Sequence, residues 1–141
     1  APTSAGTYQW IATYSGDGAN NGVTDPCGAA NESVTVTAPV GPTLGVSTTS
    51  VPRGTSITVT WSGVASPSRN DLIGVFVPGT PNTASLSFIY DSTCTTSSKP
   101  PARASGSCSF TMPSTPGTYE LRLLGGKGST LLATSPSVTT T

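Results

Sequence analysis

Residues 55–76 restrict the fold of this chain more than any other part of the sequence. In the first half of this segment, Ile57, Val59 and Trp61 alternate with hydroxyl-bearing residues, which is the pattern of a strand with one buried face. The second half contains a run, 72–77, in which the residues of both strand faces are apolar, as in a strand that crosses the centre of a sandwich. The two strands together predict the core of one β-sandwich domain.

The composition favours short strands and limits the expected partners of the chain. The 141 residues include six Lys or Arg and six Asp or Glu, which gives a net charge of zero. Because no charged patch is expected, neither nucleic acid nor an anionic membrane is an expected partner. The 16 Gly and 13 Pro favour strands joined by tight turns. The chain begins with Ala and has no run of 18 apolar residues, which predicts a mature or excised segment without membrane insertion.

Residues 43–141, which follow a short linker at 39–42, predict one complete antiparallel sandwich. Seven candidate strands are separated by Pro- and Gly-rich turns: 44–47, 56–61, 72–77, 85–90, 107–112, 118–124 and 130–138. Seven strands at this spacing, without alternating helices, are typical of an immunoglobulin-like fold. The predicted fold class is therefore all-β, an immunoglobulin-like or fibronectin-type-III-like antiparallel β-sandwich. We predict that its core includes Trp61, Ile73, Val75, Phe110, Tyr119 and Leu121.

Residues 1–38 predict a smaller piece of a second unit of the same kind. Its candidate strands are 6–14 and 33–37. The first strand repeats the Gly-Thr-Tyr motif of 117–119, and the second repeats the Ser-Val-Thr motif of 137–139. Since those two motifs belong to the last two strands of the larger unit, the smaller piece is predicted to be the last two strands of another unit. Its first five strands are expected to lie outside this sequence.

Tyr8 and Tyr119 occupy equivalent places in the two units, each at the start of the penultimate strand. In an immunoglobulin-like sandwich a Tyr at this place forms a tyrosine corner, in which its hydroxyl bonds back to the backbone a few residues upstream. The alternative is an ordinary core aromatic with a hydrated hydroxyl. Because strand alternation puts Trp10 on the same face as Tyr8, we predict that both are core residues of the smaller unit.

The cysteines are Cys27, Cys94 and Cys108, and an odd number predicts one thiol without a partner in the chain. Cys94 and Cys108 flank a loop rich in Ser, Pro and Ala, and Cys108 begins an inward-facing strand. We therefore predict a Cys94–Cys108 disulfide, which closes about 15 residues and contributes on the order of 3 kcal/mol. The alternative is two buried free cysteines. Cys27 is then unpaired or has a partner outside the chain.

The smaller unit resembles the C-terminal part of an immunoglobulin-like repeat that occurs in tandem in large bacterial surface proteins. Three motifs within residues 6–36 carry the resemblance: Gly-Thr-Tyr-Gln-Trp-Ile-Ala-Thr-Tyr-Ser-Gly-Asp-Gly-Ala-Asn-Asn, Cys-Gly and Asn-Glu-Ser-Val-Thr-Val. In those repeats the cysteine near the last strand usually has a partner earlier in the domain. The resemblance implies that Cys27 is this cysteine and that its partner is absent from this chain.

The larger unit is similar to the fibronectin-type-III-like domain that precedes the catalytic domain of some purple acid phosphatases. The similarity rests on Thr-Val-Thr-Trp-Ser-Gly-Val at 58–64, Pro-Ser at 67–68 and Asn-Asp-Leu-Ile-Gly-Val at 70–75. Leu72 stands where the pattern usually has Trp, and the chain lacks a metallophosphatase domain. The similarity therefore implies the fold and not phosphatase activity.

Few residues are available for catalysis or metal binding. The chain has no His, and its acidic residues have no close pair in sequence. We therefore predict that the chain is not an enzyme and has no cofactor. Asp17, Asn21 and Asp25 are weak candidates for calcium ligands in a loop that lacks the EF-hand pattern. The alternative for this loop is a plain hairpin connection.

The leading functional hypothesis is a non-catalytic extracellular or cell-surface segment with a structural or adhesive role. Its expected partners are other copies of itself or neighbouring immunoglobulin-like domains, assembled through strand edges into a fibre or matrix. The alternative is a glycan-binding or accessory module of a secreted enzyme, which would need an exposed aromatic platform. The rings available for such a platform are Trp10, Tyr14, Phe76, Phe88 and Tyr90.

Overall fold

The computed structural model of the chain describes residues 4–26, 28, 32–37 and 41–141, and these residues form strands and turns without a helix. The fold class is all-β, as predicted. The chain divides into two compact units, Ala1–Val40 and Gly41–Thr141, and the division falls in the segment predicted to be a linker. Within the described ranges there is no helix long and apolar enough to cross a membrane.

The smaller unit contains two short antiparallel pairs. Its strands are β1 (Gly6–Gln9), β2 (Thr13–Tyr14), β3 (Val23–Thr24) and β4 (Ser33–Val36). β1 pairs with β4, and β2 pairs with β3. The sequence predicts one strand over 6–14, whereas the structure has a break at residues 10–12. The N–H of Trp10 still donates to the carbonyl of Glu32 at 2.9 Å, so the β1–β4 ladder continues one residue into the break.

The larger unit is a sandwich of two sheets. Its strands are β5 (Thr43–Val46), β6 (Ser50–Val51), β7 (Ser56–Ser62), β8 (Leu72–Phe76), β9 (Ser87–Tyr90), β10 (Gly106–Thr111), β11 (Gly117–Gly125), β12 (Thr130–Thr134) and β13 (Val138–Thr140). One sheet has the order β10-β7-β5, and the other has the order β6-β13-β11-β8-β9 with β12 beside β11. This is the connectivity of an immunoglobulin-like sandwich, in which strands A, B and E lie in one sheet and strands C, F and G in the other.

Inward-facing residues of both sheets form one hydrophobic core. On β7, Ile57, Val59 and Trp61 are buried while the alternating Ser and Thr are exposed, as the sequence pattern predicts. The residues predicted to form the core of this unit are all buried: Trp61, Ile73, Val75, Phe110, Tyr119 and Leu121. Burial of each aliphatic or Phe side chain stabilises the unit by about 1.5–3 kcal/mol.

A disulfide joins Cys94 to Cys108 with an S–S distance of 2.05 Å, as predicted. It connects the turn that follows β9 to β10, where Cys108 faces the core. By loop entropy this bridge contributes about 3 kcal/mol, and a structural disulfide fits a non-reducing environment. Cys27, which is predicted to lack a partner in this chain, lies outside the described residues.

The last strand of the larger unit differs from the sequence prediction. The predicted strand 130–138 is interrupted, because β12 ends at Thr134 and β13 begins at Val138. At the interruption, Oγ of Ser135 accepts the N–H of Leu121 at 3.0 Å, and Pro136 has no N–H to donate. β6, which pairs in parallel with β13, was not predicted.

Candidate functional site

Each of the two units contains a strand pair of the same kind, and the two pairs have the same register. In the smaller unit β1 pairs with β4 so that Gly6 lies opposite Val36 and Tyr8 lies opposite Val34. In the larger unit β11 pairs with β13 in the same register, with Gly117 opposite Thr140 and Tyr119 opposite Val138. The corner Tyr therefore faces a Val in both units, while the partner of the Gly differs. The internal repeat seen in the sequence is therefore a repeat of structure as well.

Both units also contain a tyrosine corner. The hydroxyl of Tyr8 donates to the carbonyl of Ser4 at 2.8 Å. The hydroxyl of Tyr119 donates to the carbonyl of Thr115 at 3.0 Å, again four residues upstream. The predicted tyrosine corner is therefore present at both places, and the alternative of a merely hydrated hydroxyl is wrong in this structure.

Burial of the shared strand pair differs between the units. Val34 is 39% exposed, whereas Val138 at the equivalent place is 0% exposed. Trp10 and Leu121 each lie two residues beyond the corner Tyr of their unit. Trp10 is 53% exposed, whereas Leu121 is 0% exposed. We call Tyr8, Trp10 and Val34 the open face. They share one side of the β1–β4 pair by strand alternation.

The prediction of Trp10 as a core residue is wrong for this structure, and Tyr8 is half-buried. The physical reason is the absence, among the described residues of the smaller unit, of a second sheet facing β1 and β4. In the larger unit the sheet of β5, β7 and β10 covers the equivalent side chains. Strand alternation predicts the side of the pair on which Trp10 lies, but burial depends on a facing sheet.

The strand edges of the smaller unit are another difference. In the larger unit, β11 pairs with β8 on one side, and β13 pairs with β6. In the part of the smaller unit that the structure describes, β1 and β4 pair only with each other. Among the described residues of this unit, no strand takes the place of β8 or β6 at the outer edges of the pair.

The loop that was a weak calcium candidate is organised by Asp17. Its carboxylate accepts the N–H groups of Ala19 and Asn20 at 2.9 Å and the hydroxyl of Tyr14 at 2.7 Å. The bond from Tyr14 is the main reason that the pKa of Asp17 falls to about 2, and the Ala19 bond lowers it further. The same bond to Asp17 raises the pKa of Tyr14. These bonds are those of a side chain that caps its own turn.

The other two residues of that calcium prediction have no comparable role in the structure. Asp25 donates its backbone N–H to the carbonyl of Ala12 at 3.0 Å, which continues the β2–β3 pairing. Asn21 lies in the exposed turn between those strands. No group of three or more His, Cys, Asp or Glu side chains arranged for a metal occurs in the described ranges.

The structure brings together two acidic residues that the sequence separates by twenty positions. β8 and β9 pair so that Leu72 lies opposite Tyr90, and the next residues outward are Asp71 and Asp91. The N–H of Asp91 donates to the carbonyl of Asp71 at 3.1 Å. Both side chains are buried, and Asp91 is 0% exposed. Sequence reasoning missed this pair because only the strand register creates it.

The two carboxylates have different partners. Oδ2 of Asp71 accepts the N–H of Ser68 at 2.8 Å. Oδ1 and Oδ2 of Asp91 are both buried and have no hydrogen-bond partner. Burial, and then the charge of Asp71, raise the pKa of Asp91 to about 6. The backbone of Ser92 and the charge of Arg103 act in the opposite direction, but neither is placed to bond to the carboxylate within normal hydrogen-bond limits.

The aromatic side chains of the larger unit do not form a flat exposed platform. Phe76 is buried beneath the guanidinium of Arg122, which lies 4.5 Å from the ring centroid. Phe88 and Tyr90 meet edge to face, with ring planes at 86°. In the smaller unit, by contrast, Trp10 and Tyr14 are both exposed.

The outer face of the three-stranded sheet is lined by hydroxyl side chains and carries no charge. Its exposed positions alternate with the core residues and are Ser56, Thr58, Thr60, Ser62, Ser107, Ser109 and Thr111. A depression of about 260 Å³ on β5 and β7 is lined by Thr43, Leu44, Gly45, Thr60, Trp61 and Ser62. Trp61 is only 3% exposed, so the depression presents little aromatic surface for stacking on a sugar.

Comparison of the chain with protein-family models gives no match, and comparison with curated proteins gives none either. The resemblances to a bacterial surface repeat and to a phosphatase-associated domain therefore rest on their motifs alone.

Proposed function

We propose that this chain is a non-catalytic structural or adhesive segment of an extracellular protein, in which a neighbouring immunoglobulin-like unit completes the smaller unit. The observation that carries the proposal is the strand pair shared by both units. Its register is the same, but its inner side is covered in one unit and exposed in the other. An exposed apolar face beside unpaired strand edges favours association with further strands.

The larger unit indicates which strands the smaller unit lacks. β8 pairs antiparallel with β11 and is apolar at both parities. A strand of the same character would pair with the outer edge of β1. The backbone N–H of Trp10 donates to Glu32 of the β4 side, so residue 10 forms a hydrogen-bonded pair across the ladder. Such pairs alternate along an antiparallel ladder, so Tyr8 also faces β4, and the N–H and C=O of Thr7 point to the outer edge of β1. Thr7 thus offers backbone groups to an incoming strand.

Assembly through such an edge fits a fibre or matrix. If a second copy of the chain supplies the completing strands, the contact is head to tail and generates a filament. If a neighbouring domain supplies them, the result is a row of immunoglobulin-like units. The disulfide supports an extracellular location, since structural disulfides persist in oxidising compartments.

Sedimentation velocity of the full chain at about 1–100 µM tests the proposal. We expect concentration-dependent association, and we expect Trp10→Ser to abolish it by removing the largest side chain of the open face. Leu86→Ser is the matched control, because Leu86 is 56% exposed but lies in the larger unit. A wild-type chain that stays monomeric, with the β1–β4 amides protected from hydrogen exchange, would contradict the proposal.

The second candidate function is a glycan-binding accessory module. Exposure of both Trp10 and Tyr14 in one unit favours it, since exposed aromatic rings stack on sugars. Retention of the monomeric chain on insoluble polysaccharides, lost in Trp10→Ser and in Tyr14→Ser, would support this function. Absence of retention on cellulose, chitin and peptidoglycan would count against it.

A further inference from the structure

Asp91 is the buried polar side chain of the larger unit that has the most polar atoms without a hydrogen-bond partner. It is 0% exposed, and neither of its carboxylate oxygens has a hydrogen-bond partner. Buried carboxylates are ordinarily paired, hydrogen-bonded or bound to a metal, because loss of hydration disfavours an isolated charge. Its neighbour across the β8–β9 pair is a second buried carboxylate, Asp71. Two carboxylates in one buried place are stabilised by a bound cation or by a proton.

We propose that Asp71 and Asp91 form a binding site for one calcium ion. Two carboxylates balance the charge of a divalent cation, and the unpartnered oxygens of Asp91 are free to act as ligands. Oδ2 of Asp71 already accepts the N–H of Ser68, so Oδ1 of Asp71 is the oxygen that would bind the ion most directly. The site lies between the turns that precede β8 and follow β9.

The ligand chemistry favours calcium over other metals. The chain has no His, and Cys94 and Cys108 are consumed by their disulfide, so nitrogen and thiolate ligands for zinc are absent from the site. Magnesium retains several waters and demands a strict octahedron, whereas calcium accepts a variable number of carboxylate and carbonyl oxygens. With only two acidic side chains, the other ligands would be backbone carbonyls of the adjoining turns and water.

Two alternative roles for Asp91 lead to different expected results. In the first, Asp71 and Asp91 share a proton and bind no metal. In the second, Arg103 acts as the counterion, since its charge influences Asp91. A calcium site responds to the metal at fixed pH and is opposed by the charge of Arg103. Arg103→Gln should therefore tighten calcium binding, whereas it should only destabilise the unit if Arg103 is the counterion.

Calcium titration of the full chain, freed of metal with EDTA, tests the site by calorimetry and by ¹H–¹⁵N spectra. We expect one ion per chain with a Kd of about 10⁻⁴–10⁻³ M, the range of extracellular calcium modules. Amide shifts should be confined to residues 68–72 and 90–93. Asp91→Asn should weaken binding by about tenfold or more, because affinity follows the charge of the ligands. Asp17→Asn is the matched control and should bind as the wild type does.

The proposal is overturned if calcium up to about 5 mM produces no saturable shifts at those amides. It is also overturned if the shifts occur only at residues 17–25, which would assign the metal to the loop of the smaller unit. If Asp91→Asn does not fold, the wild-type spectra and the Arg103→Gln affinity decide the question. Unchanged or weaker calcium binding by Arg103→Gln would contradict the site.

Discussion

Gly106 lies opposite Trp61 in the β10–β7 ladder, and a Cβ atom at position 106 would lie 2.6 Å from the indole ring. The ring is buried, so it cannot swing into solvent to make room. We expect Gly106→Ala to destabilise the larger unit by about 1–3 kcal/mol through overpacking. Gly41→Ala is the control, because nothing lies within 4 Å of a Cβ there. Chemical denaturation of both variants measures the difference.

The double variant Gly106→Ala with Trp61→Phe checks the stated cause. Phe is smaller and lacks the indole N–H, which is buried without a partner in this structure. If overpacking against the ring causes the loss, Gly106→Ala should cost clearly less free energy of unfolding in the Trp61→Phe background. An equal cost in both backgrounds would assign the loss to strand propensity instead.

The two tyrosine corners should differ in their contribution to stability. Tyr119 is buried, and its hydroxyl bonds to a carbonyl that also accepts the hydroxyl of Thr140 at 2.8 Å. We expect Tyr119→Phe to cost about 1 kcal/mol. Tyr8 bonds to Ser4 at the surface, so Tyr8→Phe should change stability by less than about 0.5 kcal/mol. Hydrogen exchange of the β11 and β1 amides measures each unit separately, and equal losses would contradict the role of burial.

Sequence patterns were sufficient for the architecture of the larger unit because its strands have strong alternation. Ile57, Val59 and Trp61 specify the buried side of β7 without knowledge of its neighbours. β6 was missed because two residues carry no periodicity, and its parallel pairing with β13 is a long-range contact. Likewise, the interruption of the last strand depends on a side-chain bond between Ser135 and Leu121 that no local pattern encodes.

The candidate sites were less predictable for the same reason. Asp71 and Asp91 come together through the register of β8 and β9, and no local sequence motif around either residue predicts the pairing. The exposure of Trp10 was missed because alternation gives the side of a strand and not what covers that side. The repeat of Gly-Thr-Tyr was the one sequence signal that pointed to the open face, since it equates Tyr8 with Tyr119.

The disulfide should be a major contributor to the stability of the larger unit. Cys94 and Cys108 are separated by 14 positions, and loop entropy at this separation corresponds to about 3 kcal/mol. We expect a variant with Ala at both positions to lose about this much free energy of unfolding. The control is Cys27→Ala, which should leave the larger unit unchanged. A loss below about 1 kcal/mol would show that the linked turn is already ordered by other contacts.

Acid should loosen the turn that Asp17 caps. Its pKa in the folded chain is about 2, below the ordinary value of 3.8, because Tyr14 and Ala19 bond to the carboxylate. A lowered pKa means that the stabilisation is present above about pH 4 and is lost as pH falls toward 2. The amides of Ala19 and Asn20 should shift over this range in ¹H–¹⁵N spectra. In Asp17→Asn these shifts should be absent, and a midpoint near 4 in the wild type would contradict the bonding.

Leu121 and Trp10 occupy equivalent places two residues beyond the corner tyrosines, so the same substitution at both should report what covers each strand pair. Leu121 is completely buried, and Leu121→Ser should cost about 3–5 kcal/mol by leaving a cavity and burying a hydroxyl. Trp10 is exposed, and Trp10→Ser should change the stability of the dilute monomer by less than about 0.5 kcal/mol. Hydrogen exchange of β11 and β1 amides gives the two values. A large loss for Trp10→Ser in the monomer would mean that the open face is covered within the chain itself, and no partner strand would then be needed.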